Sequence, residues 1–263
     1  ADEEFGKIRV WGTIGWIAAG LTLAGWRWGV HATGIPTLPG DTLSLAGIFS
    51  LIMGIQAFTL PHTPPSSGSG NPWAFMEALG LLRDRNFLVF LATAFVVTGE
   101  LVFYDILAAP FLTSETVGIP STWISGVMTV AQVAEILIMA YLLPWFLPRF
   151  GVKATLLVGI FASVVRYAVF AAGGPVWLVV ASLTVQGFCY GFFYIAACIY
   201  VDTVAPADIR ASAQSLINMV TIGAGSFLGS LATGKVADLL TAPGGPTGGT
   251  AIQWNHVFLV PAT

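Results

Sequence analysis

The chain has 263 residues, 56% of them hydrophobic and only 9% charged, with a formal net charge of -3. Ordinary soluble domains carry about a quarter charged residues, so water is not this chain's main solvent, and an acidic balance without a long basic cluster argues against any nucleic-acid-binding face. Enzyme chemistry finds no support either. His31 and His62 fall in loops, His256 lies near the C-terminus, and Cys189 and Cys198 share one apolar segment as free buried thiols, so no metal-ligand cluster, nucleophile-base pair or cofactor is implied.

A helix needs about 20 mainly apolar residues to cross the hydrocarbon core of a bilayer. Such runs predict spanning helices at about 8–28, 42–60, 87–112, 122–147, 154–173, 176–201 and 212–240, with an eighth starting at Trp254 and stopping at Thr263. The expected fold is all-α, a polytopic transmembrane helix bundle. After the second span, Pro61 to Asn71 has the Pro, Ser and Gly composition of a linker. Pro72 to Arg85 then carries Trp73, Phe75, Met76, Leu79 and Leu82 at helical spacing. This predicts a linker with an amphipathic helix over 61–86, between the last two helices of one bundle (1–60) and a second bundle (87–263). The chain starts at Ala1 with no basic region and cleavage site before its first apolar run, so a bundle truncated at both ends is expected.

Lys and Arg in short loops favour the cytoplasm. With the N-terminus inside, one side collects Lys7, Arg9, Arg83, Arg85, Arg149, Lys153 and Arg210, the other Arg27 and Lys235. The linker and the turn at Gly151 are thereby assigned to the cytoplasm, and the Gly-rich loop 241–253 to the outside. Trp26, Trp28, Trp123, Trp145 and Trp254 near span ends read as interfacial anchors. Gly223, Gly225, Gly229 and Gly234 read as seats for close helix packing.

A charge at bilayer depth costs at least about 2.5 kcal/mol, so it requires a partner or a water-filled cavity. Glu135 lies mid-span in the fourth helix with Gln132 one turn before it, on the same face. An amide beside a carboxyl suits a polar, hydrogen-bonding ligand. Because loss of water disfavours the charged form of any carboxyl, such a group is also suited to loading and releasing a proton near neutral pH. The alternative is a purely structural bond to a neighbouring helix. In the third span Glu100 and Asp105 flank Tyr104 at a spacing that points them apart on an unbroken helix, and Gly99 and Pro110 predict a local irregularity there. Asp105 ranks ahead of Glu100 as the functional acid because of its aromatic setting. Arg166, in the fifth span, reads as the internal counter-ion of one of these acids or as half of a gating ion pair. Gln186, Tyr190 and Tyr194 recur along the sixth span as a polar-aromatic stripe, suited to stacking a flat ligand or to packing.

Three separated stretches resemble one known family. Ile8-Arg9-Val10-Trp11-Gly12-Thr13-Ile14-Gly15-Trp16 resembles the start of the fifth helix in the nucleoside:proton symporters of the major facilitator superfamily. Gln132-Val133-Ala134-Glu135 followed by Arg149-Phe150-Gly151-Val152-Lys153 resembles that family's eighth helix and the loop after it. Tyr200-Val201-Asp202 and then Ala205-Pro206-Ala207-Asp208-Ile209-Arg210-Ala211-Ser212-Ala213-Gln214 is similar to the end of its tenth helix and the approach to its eleventh. The resemblance covers nearly the whole chain. It implies a major-facilitator-like fold, with four helices ahead of this chain and most of a twelfth behind it.

The resemblance also implies a site. Arg9, Thr13 and Trp16 match positions lining the nucleoside pocket, although Arg9 also suits a snorkelling anchor. Gln132 and Glu135 match residues that bond sugar or base, with Glu135 as the proton carrier, and Gln186 and Tyr190 match ligand contacts of the tenth helix. The family uses polar side chains around Val102 and Asp105; Val102 is apolar here, which leaves Asp105. The implied function is proton-coupled nucleoside uptake by alternating access about a midplane site. The expected protein is a monomer in the cell (inner) membrane whose partners are the nucleoside, the proton and the lipid bilayer. A symporter of sugars or another small polar solute on the same fold is the alternative, and a non-transporting membrane sensor comes third. A watery cavity opening onto Glu135 is expected.

Overall fold

The computed structural model describes residues 2–33, 40–62, 74–243 and 250–262. Two long helices come first, α1 (Asp2–Ala32) and α2 (Asp41–Ala57). α3 (Ala74–Gly80) passes through a 3-10 turn to Asp84, which starts α4 (Arg85–Thr113): its Oδ1 accepts from the backbone N–H of Asn86 at 2.7 Å and of Phe87 at 3.3 Å. Those are donors that a helix start leaves without intrahelical partners.

α5 (Ile124–Leu137) runs through a π turn, Ile138–Leu142, into α6 (Leu143–Ala172). Straight, these 49 residues would extend about 70 Å, more than twice the thickness of a bilayer core. They break at Gly151, whose φ of 75° and ψ of 171° suit glycine alone. The fourth and fifth spans therefore meet at the turn between Arg149 and Lys153. α7 (Val176–Ser182) continues through a 3-10 turn, Leu183–Val185, and a π segment, Phe188–Ile195, into α8 (Ala196–Val204). α9 (Arg210–Asn218) continues through a second π segment, Met219–Gly225, into α10 (Ser226–Leu239). A short antiparallel hairpin, β1 (Thr241–Pro243) with β2 (Thr250–Ile252), leads to α11 (Trp254–Leu259).

Helices thus occupy all seven predicted span positions. Arg85–Thr113, Ile124–Ala172, Val176–Val204 and Arg210–Leu239 are long and apolar enough to cross a membrane, and Thr42–Ala57 is a shorter apolar helix. Large apolar side chains stand bare on their outer faces: Val89 and Val96 on α4, Leu157 and Phe161 on α6, Phe227 and Leu231 on α10. Water would penalise that surface and lipid does not. The chain is an integral membrane protein.

Two apolar clusters pin opposite ends of the bundle from α4 to α11. Phe87, Leu91, Val201, Ala213 and Leu216 form one. Phe111, Tyr167, Phe170, Val179 and Phe258 form much of the other, and Trp254 belongs to it. The Trp254 ring lies 5.5 Å from that of Phe111 and stacks on Phe258 at 5.9 Å. The interfacial anchor expected at 254 is therefore a core residue, because aromatic neighbours on two helices bury it more fully than a headgroup layer would. Trp26, Trp28, Trp123 and Trp145 are exposed, as anchors should be.

Helix contacts are closest at glycines. A Cβ on Gly229 of α10 would lie 2.7 Å from the Cα of Gly99 in α4, and one on Gly187 would lie 2.9 Å from the Cα of Glu135. The irregularity expected in α4 is absent: the helix runs unbroken through Gly99 and Pro110. Pro110 falls in the last turn, where little helix remains to be displaced. Backbone irregularity sits in the π segments instead, which commonly mark functional regions of a helix. α3 lies against α9, burying Ala78 and leaving Phe75, Met76 and Leu79 exposed; Trp73 and the linker residues 63–73 lie outside the described residues.

Candidate functional site

α1 packs against α5, and α5 carries Gln132 and Glu135 one turn apart. Glu135 is only 6% exposed and Gln132 is half-buried, so the carboxyl faces protein rather than lipid. The bare Cα of Gly187 lets the two backbones meet beside Glu135. Tyr104 of α4 stands within electrostatic reach of both Glu135 and Asp105.

Arg166 of α6 is fully buried at the centre of this polar interior. Its Nη1 donates to Oε1 of Gln186. The guanidinium lies 4.1 Å over the ring of Tyr104 and 4.9 Å from that of Tyr167. An aromatic face offers a desolvated cation about 2 kcal/mol or more, which helps to offset its removal from water. The hydroxyl of Tyr167 donates to the backbone carbonyl of Glu100 at 2.8 Å and so ties α6 to α4. Glu100 and Asp105 both lie within the field of the Arg166 charge. The sequence suggested an acid as the partner of Arg166; its hydrogen bond goes to the amide of Gln186, a pairing across two helices that no local motif announces. The two tyrosine faces were equally invisible, since Tyr104 is distant in sequence and Tyr167 looks like an ordinary neighbour of Arg166.

The members of the expected stripe Gln186, Tyr190 and Tyr194 make different contacts. Gln186 is buried on Arg166, whereas the rings of Tyr190 and Tyr194 stack on each other at 5.2 Å with 20° between their planes. The Tyr194 hydroxyl donates to Oδ1 of Asn218 at 3.0 Å.

Asp105 is exposed and Glu100 half-buried, as an unbroken α4 requires of residues on different faces. Val102 is buried and apolar. On α1, Trp16 is exposed, and the side chains of Arg9 and Thr13 lie outside the described residues. The structure therefore gathers Asp105, Glu135 and Gln186 around Tyr104 and Arg166, with Gln132 beside Glu135. A groove of about 340 Å³ runs along Gly126, Thr129, Val130, Val133, Ala134 and Leu137 with Thr184, and touches neither Gln132 nor Glu135. Beside Glu135 its own helix backbone meets that of Gly187.

Comparison with known proteins places this arrangement. The family model described as nucleoside H+ symporter matches residues 1–263. The chain belongs to the nucleoside H+ symporter family. The putative nucleoside transporter YegT of Escherichia coli (strain K12) is 37% identical over 98% of this chain and 61% of its own length. The nucleoside permease NupG of the same organism is 30% identical over 98% of this chain and 61% of its own. A crystal structure of a NupG point mutant matches with a TM-score of 0.80 at 28% identity, covering 98% of this chain and 64% of that one. The chain thus spans less than two thirds of the length of these relatives. This symporter-family bundle has a major-facilitator-like fold.

Proposed function

We propose that the intact protein takes up a nucleoside together with a proton by alternating access. The observation that carries this reading is Glu135: a carboxyl buried at the middle of a span, one turn from Gln132, on the helix against which α1 packs. Removal from water makes such a group a proton carrier, and family membership supplies the solute class. Gln132, Glu135, Asp105, Gln186 and Tyr190 form the wall contributed by residues 87–263, with amide and carboxyl fixing ribose or base and the Tyr190 ring stacking. Arg9, Thr13 and Trp16 form the facing wall in residues 1–60. The linker over 61–86 joins the two bundles on the cytoplasmic side of the cell (inner) membrane, by the excess of Lys and Arg there. The protein works as a monomer.

Alternating access opens such a site by rocking one bundle against the other, whereas the contact of Gly187 with Glu135 lies inside the bundle of residues 87–263 and stays closed throughout. Equilibrium binding to the full-length transporter tests the solute class. Uridine and adenosine are expected to displace a labelled nucleoside while a disaccharide does not; displacement by the disaccharide alone would overturn the nucleoside assignment.

A further inference from the structure

Five buried side-chain atoms among the described residues have no hydrogen-bond partner: Oε1 of Glu100, the hydroxyls of Tyr104 and Ser163, and Nε and Nη2 of Arg166. All five belong to one place, the interface of α4 and α6. Buried polar atoms are normally satisfied, and a guanidinium offers five N–H donors, so this cluster holds unused bonding capacity of both signs. We propose that Glu100 and Arg166 form a proton-gated ion pair, which makes Glu100 a second proton-binding position of the transporter beside Glu135. This rests on the transport reading above and extends it.

The charges require a proton nearby. Among the described residues Arg166 is the cation facing the cluster, and the acids around it are Glu100 and Asp105 from α4 and, past Tyr104, Glu135 from α5. Tyr167 comes from α6 and Cys189 from the π segment; Lys235 and Asp238, the titratable side chains of α10, are exposed. One guanidinium does not neutralise both Glu100 and Glu135 in a water-poor interior. Asp105 is exposed, whereas Glu100 is half-buried with one carboxyl oxygen buried and unbonded, so the bound proton is assigned to Glu100.

Two arrangements follow. With Glu100 neutral, Arg166 rests on Gln186 and the two tyrosine faces, as observed. With Glu100 ionised, the free Nε and Nη2 turn to its carboxylate and the hold on Gln186 loosens. Gln186 is one of the proposed ligand contacts, so the proton on Glu100 controls the orientation of a ligand-facing amide. Glu100 also follows Gly99, where α4 meets α10 at Gly229. A change in the pair is therefore delivered beside a close backbone contact of α4 with α10.

Uridine binding to the full-length transporter at pH 5.5 and pH 8 tests this. Coupled sites in one protein commonly shift each other's affinity by about 5-fold to 150-fold. The wild type is expected to bind uridine roughly 10-fold more weakly at pH 8. Glu100→Gln mimics the proton-loaded form: it is expected to bind at pH 8 as the wild type does at pH 5.5, with the pH effect reduced below about threefold. Glu135→Gln, by contrast, weakens binding at both values. Arg166→Met strands the Glu100 carboxylate and is expected to lower the thermal midpoint, and Glu100→Gln with Arg166→Met to recover part of it. A wild-type pH effect that Glu100→Gln leaves intact, or a double variant no more stable than Arg166→Met, overturns the pair alone. Absence of uridine binding by the wild type at either pH overturns the nucleoside reading and this one with it.

Discussion

Arg166 and the two tyrosines around it show what a charge at bilayer depth demands. A buried cation that loses water needs replacement dipoles, and here they are the amide oxygen of Gln186 and the faces of Tyr104 and Tyr167. The tyrosines differ in one respect that a substitution can read. The Tyr167 hydroxyl donates to the Glu100 carbonyl, whereas the Tyr104 hydroxyl is buried without a partner. Removing a bonded hydroxyl costs about 1 kcal/mol, and removing an unbonded one costs nothing or is mildly stabilising. Tyr167→Phe is thus expected to lower the thermal midpoint of the purified transporter and Tyr104→Phe to leave it unchanged or raise it, since both keep the ring over Arg166. The reverse order would contradict this hydrogen-bond assignment. At this scale the sequence was informative about single residues and silent about pairs. An acid at 135 inside an apolar run stands out because its cost there is large. The bond between Arg166 and Gln186 has no such signature, because it depends on how two separate helices face each other.

Helix existence followed from apolar run length, and all seven predicted positions hold helices. Helix regularity did not follow. Gly99 and Pro110 pointed to a break in α4, yet α4 is continuous and the π segments lie at Ile138–Leu142, Phe188–Ile195 and Met219–Gly225. Glycine in these spans serves close approach more than flexibility, and the four glycines of the last long span separate on that ground. A Cβ on Gly229 would meet the backbone of Gly99 at 2.7 Å, whereas one on Gly234 would meet nothing within 4 Å. Overpacking of this kind costs about 1–3 kcal/mol, while glycine to alanine in an open helix position gains roughly 0.5–1 kcal/mol. Gly229→Ala is expected to lower the thermal midpoint markedly and Gly234→Ala to hold or raise it. Equal effects from the two would show that the contact of α4 with α10 is looser than described.

At the scale of the molecule, exposed apolar side chains outside and a polar cluster inside are the inverse of a soluble protein, and they fit a helix bundle in lipid. The class was legible from composition because few charges and many apolar runs leave no other solvent. The seat of Glu135 was not legible, since Gly187 brings two backbones of one bundle together there and no run of residues announces which helices will face each other. The central claim is that the buried carboxyl of Glu135 carries the proton that drives solute uphill. The most direct measurement is uridine accumulation by the full-length transporter in proteoliposomes with an inwardly directed pH gradient. The wild type is expected to concentrate uridine well above its external level and Glu135→Gln to do no more than equilibrate it; accumulation by Glu135→Gln equal to that of the wild type would contradict the claim.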